Sequence, residues 1–164
     1  MKRLAVLVLL VAASAAVGGT VWYSSAQSSP EARSSESVET FEADHFSVDL
    51  PTELRATVPV LEDGRNIFVF ESADGAAGFQ VFTMAYSGPL TPDALKAEIP
   101  DLAMNDVENV TVGVEPALAF DSHDGDIGDT FEVWFVRDGV LYQVMTYRSL
   151  DAWLRDILAT WRFR

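Results

Sequence analysis

Large apolar side chains alternate through Phe131 to Arg137, where Phe131, Val133 and Phe135 interleave with Glu132, Trp134 and Val136. A period of two marks a β-strand. The run Val140 to Tyr147 behaves the same way, with Val140, Tyr142 and Val144 on one face and Leu141, Met145 and Tyr147 on the other. A sheet with one wet face would alternate apolar with polar residues, so these strands are predicted to be central and covered on both sides. The expected cover is helical.

Turn signals divide the rest of the chain into further short strands, opening with Phe41 to Leu50. Asp138-Gly139 separates Phe131 to Arg137 from Val140 to Tyr147, and Asp63-Gly64 separates Thr57 to Leu61 from Asn66 to Glu71. Both dipeptides suit two-residue hairpin turns, which need positive φ at their central positions. Asp74-Gly75 with Gly78 marks a longer loop before Phe79 to Tyr86. Antiparallel pairing follows.

Two helices are legible. Pro92 to Ile99 has Thr91 as N-cap, Pro92 at the first helical position, Leu90 placed to staple onto Leu95, and Pro100 to stop it. The second begins after Ser149 and places Leu150, Trp153, Leu154, Ile157, Leu158 and Trp161 on one face, with Asp151 and Arg155 expected to pair on the outside. It is predicted to dock on the sheet. The whole reads as α+β, a largely antiparallel sheet flanked by helices.

The N-terminus follows other rules. Lys2 and Arg3 precede a chargeless run from Leu4 to Tyr23, which ends in Trp22 and Tyr23. As an uncleaved anchor, 1–23 has the roughly 20 residues a bilayer needs, with positive charge inside and an aromatic belt at the far end. As a cleaved signal peptide it has an apolar core followed by the small residues Ser24 and Ala26. Both readings export the remainder, to the outer face of the cytoplasmic membrane or to the periplasm or medium. Residues 24–40 are serine-rich with few large apolar side chains, the composition of a flexible tether. That leaves 41–164 as one globular domain.

Charge then narrows the partners. All 25 acidic residues lie beyond Gln27, against nine basic ones, a net of −16 for the exported part. Such a field repels phosphates, which excludes nucleic acid as an expected partner and disfavours an anionic bilayer surface. It attracts cations and basic protein surfaces. The absence of cysteine removes disulfides, thiol catalysis and the lipid-attachment residue of a bacterial lipoprotein.

The stretch Gly139-Val-Leu-Tyr-Gln-Val-Met-Thr-Tyr147, the helix after it and the closing Trp161-Arg162-Phe163 resemble the C-terminal end of bacterial PsbP/Mog1-like domains. Phe46-Ser47-Val48-Asp49-Leu50-Pro51 resembles their first strand, so the likeness spans about Phe41 to Phe163. It implies an α/β/α sandwich around a largely antiparallel sheet, and a binding or assembly module in place of an enzyme. It assigns no site residue.

The most polar cluster is Asp121-Ser-His-Asp-Gly-Asp-Ile-Gly-Asp129, in which Asp121, Asp124, Asp126 and Asp129 offer oxygen ligands for a hard cation such as Ca²⁺. The spacing is not that of an EF-hand, and the competing reading is a solvated turn in which Asp and Gly serve backbone geometry. His45 and His123 are the only histidines, so one chain could build a two-His zinc site only if their strands met. No Gly-x-Ser-x-Gly elbow, Ser-x-x-Lys or phosphate loop occurs, and no catalytic residue is expected. The expectation is a non-enzymatic, membrane-tethered module that binds an envelope protein. The alternative is an extracytoplasmic domain for a small ligand or divalent cation.

Overall fold

The computed structural model describes residues 37–58, 66–125 and 127–164. The anchor or signal segment, most of the tether, the Asp63-Gly64 turn and Asp126 lie outside the described residues. Ten strands and two short helices make up the rest: β1 (Val38–Glu42), β2 (Phe46–Pro51), β3 (Leu54–Thr57), β4 (Asn66–Ser72), β5 (Gly78–Ala85), α1 (Pro92–Glu98), β6 (Asn105–Val112), β7 (Glu115–Asp124), β8 (Gly128–Arg137), β9 (Val140–Tyr147), α2 (Asp151–Leu158) and β10 (Arg162–Phe163). β1 takes in Val38 to Thr40, the last three residues of the stretch expected to be tether.

Seven strands form an antiparallel sheet in the order β3-β4-β5-β9-β8-β7-β6, with β8 and β9 inside it as the two-sided apolar pattern requires. Their connection is the tight turn expected at Asp138-Gly139, with φ of 51° and 77°. At the loop before β5, Asp74 accepts from the Ser72 hydroxyl and the Ala76 N–H, and Gly75 takes a φ of 70°.

The two faces are covered differently. On the first, Phe131, Val133 and Phe135 of β8 and Tyr142 and Val144 of β9 pack with Leu154, Ile157 and Leu158 of α2. A second, three-stranded sheet, β1-β2-β10, shares this cover and contributes Phe46, Val48 and Leu50. That sheet corrects the expectation of an all-helical cover. Its cause is the chain end: after α2 the Trp161-Arg162-Phe163 tail returns as β10 and pairs Arg162 with Ser47 and Phe163 with Phe46. Trp161 stacks on Phe46 with ring centroids 4.2 Å apart.

On the second face α1 sits over Leu118, Phe120, Trp134 and Leu141, inserting Leu95. Thr91 caps it by accepting from the Ala94 N–H at 3.2 Å, and Leu90 packs in the same cluster as Leu95. α1 has only seven residues, about 10 Å of axis, and covers one part of a face seven strands wide. The expected pair between Asp151 and Arg155 is replaced: Arg155 reaches Glu108 on β6 at 3.0 Å and lies over the Phe131 ring, while Asp151 accepts from the Ala152 N–H.

Candidate functional site: the open half of the sheet

The sequence-derived acidic cluster is a hairpin. His123 pairs with Asp129, and Asp124 with Gly128, where β7 turns into β8. Asp121 is ion-paired with Arg148, and Asp129 Oδ1 meets His123 Nδ1 at 2.8 Å. Asp124 Oδ1 accepts from the Ile127 N–H at 2.9 Å, a turn-stabilising bond of the kind Asp makes locally. Among the described residues no three His, Asp or Glu side chains are grouped to hold a metal ion. The two histidines do not meet either. His45 borders a cleft with Val140, at the start of β9, whereas His123 pairs with Asp129, the residue before Thr130, which is the partner of Tyr147 at the other end of β9. Eight residues of strand, roughly 25 Å, separate those ends.

The next feature was not legible in the sequence. Register places Val69, Gln80, Met145, Glu132 and Phe120 side by side across β4, β5, β9, β8 and β7. They share the face that α1 partly covers. Phe120 lies within the α1 cluster, whereas Val69, Gln80 and Met145 lie beyond it and are half-buried. There they line a cleft of about 200 Å³ with Ile127, Tyr147 and Glu71. Gln80 Nε2 contacts Met145 Sδ at 3.9 Å, and Tyr147 is 51 % exposed. The strip sets polar Gln80 between apolar Val69 and Met145, and at its margin Glu71 lies opposite Arg55 of β3.

Glu132 stands at the boundary between the covered and open halves. Trp134 Nε1–H donates to its Oε2 at 2.7 Å, and the Thr130 hydroxyl donates to Oε1 at 3.4 Å. The Ser122 hydroxyl adds a third bond, and the Asp124 carboxylate acts on it from nearby. Part of the residue's surface reaches solvent, yet its carboxylate is enclosed by these groups. Burial therefore pushes its pKa up against the three donors that hold it down, and Asp124 adds to the rise. Hydrogen bonds from neutral groups satisfy this acid without neutralising it.

A larger cleft of about 610 Å³ lies between the β1–β2 turn and the main sheet, lined by Phe41, Phe68, Thr83 and Tyr142. Its acidic residues, Glu42 and Asp44, are exposed to solvent. Nothing there encloses a charged group.

No family model matches the sequence, and neither does any curated protein. Solved structures do match: the chain is similar to cyanobacterial PsbP (CyanoP) from Synechocystis sp. PCC 6803, with a TM-score of 0.55 over 84 % of this chain and 99 % of that one. Identity is 9 %, so the likeness is one of fold, and the fold is PsbP-like.

Proposed function

We propose that the chain is a non-enzymatic binding module, tethered by its N-terminal segment and working outside the cytoplasm, which engages another protein of the cell envelope. The observation that carries this reading is the half-covered sheet face, where a partly apolar strip is left beside α1. Contiguous apolar surface rimmed by polar residues is the usual mark of an interaction site. The positive n-region and twenty-residue apolar run support the tether, and the serine-rich stretch gives the domain reach from a membrane. The net of −16 supports a basic protein surface over nucleic acid or anionic lipid.

The test is in-cell cross-linking of the tagged full-length chain, with mass spectrometry of the adducts and of its own N-terminus. One stoichiometric envelope partner on a chain that still begins at Met1 is the expected result. A chain starting near Gln27 with no specific adduct contradicts it.

A further inference from the structure

We draw no further inference here: the strongest candidate, the aromatic cleft between the β1–β2 turn and the main sheet, carries none because its Phe41, Phe46 and Phe68 rings pack on one another, Glu42 on its rim is already ion-paired with Arg164, and nothing in the structure shows what covers it.

Discussion

Trp134 holds Glu132 from two residues along the same strand, its indole N–H donating to the carboxylate at 2.7 Å. A buried acid is thus held by neutral donors, with the Asp124 carboxylate nearby. Burial raises its folded-state pKa above the unfolded value of about 4.3, so within that window the folded chain binds more protons than the unfolded one. The contribution of Glu132 to stability is then complete below about pH 4.3 and is lost as pH rises through the raised value. Glu132→Gln abolishes the titration. Thermal unfolding of both proteins from pH 4 to pH 8 should show their stability difference moving in the variant's favour as pH rises. A difference that is flat with pH contradicts the account.

The two tryptophans of the C-terminal segment, equivalent in the helical pattern, are not equivalent in space. Trp161 is 3 % exposed and packs on Phe46, Phe135 and Tyr142, whereas Trp153 is half-buried with its edge toward Phe79 at 6.0 Å. Denaturant unfolding of Trp161→Ala should show a loss of about 3 to 5 kcal/mol, and of Trp153→Ala about 1 to 3 kcal/mol. Trp161 Nε1 is buried and has no hydrogen-bond partner among the described residues, so Trp161→Phe should be much milder than Trp161→Ala.

Gly139 has a φ of 77°, and among the described residues a Cβ added there would meet the Tyr86 carbonyl oxygen alone, at 3.9 Å. The cost of Gly139→Ala is therefore conformational, about 1 to 2 kcal/mol. Gly139→Asn should recover part of it, because Asn visits the left-handed region more readily. Chemical denaturation of the three proteins checks the order Gly, Asn, Ala.

In the β7–β8 hairpin, Asp121 is committed to Arg148 and Asp129 to His123. Calcium at millimolar concentration should leave the melting temperature unchanged, since only a ligand that binds the folded state raises it. A saturable upward shift, lost in Asp124→Asn, would support the cation loop.

Much of this fold is written in local chemistry. Asp138-Gly139 fixed a hairpin because two positive φ values suit that pair, and Thr91-Pro92 fixed a helix start because capping is decided within one turn. β6 and β7 were harder to see: β6 is an edge strand, largely exposed, with a register shift between Asn105 and Glu108, and its periodicity is blurred accordingly. The second sheet could not be read, because β10 is two residues long and exists through Phe46 and Ser47, more than a hundred positions away. The Asp-rich run was conspicuous in sequence, and its described acids serve a turn and ion pairs. The open strip was inconspicuous, since Val69, Gln80, Met145 and Glu132 become neighbours only through strand register.

Met145 gives the most direct measurement of whether that strip is an interface. It lies half-buried at the centre of the row, while Met104 is 8 % exposed in the cluster beneath α1 and serves as an internal control. Mild peroxide treatment followed by mass spectrometry of Met sulfoxide reads exposure at both residues. With the chain in intact cells, Met145 should be protected several-fold relative to the purified chain, and Met104 should be equally slow in both. Equal oxidation of Met145 in cells and in isolation would contradict the proposal that this face is a binding surface.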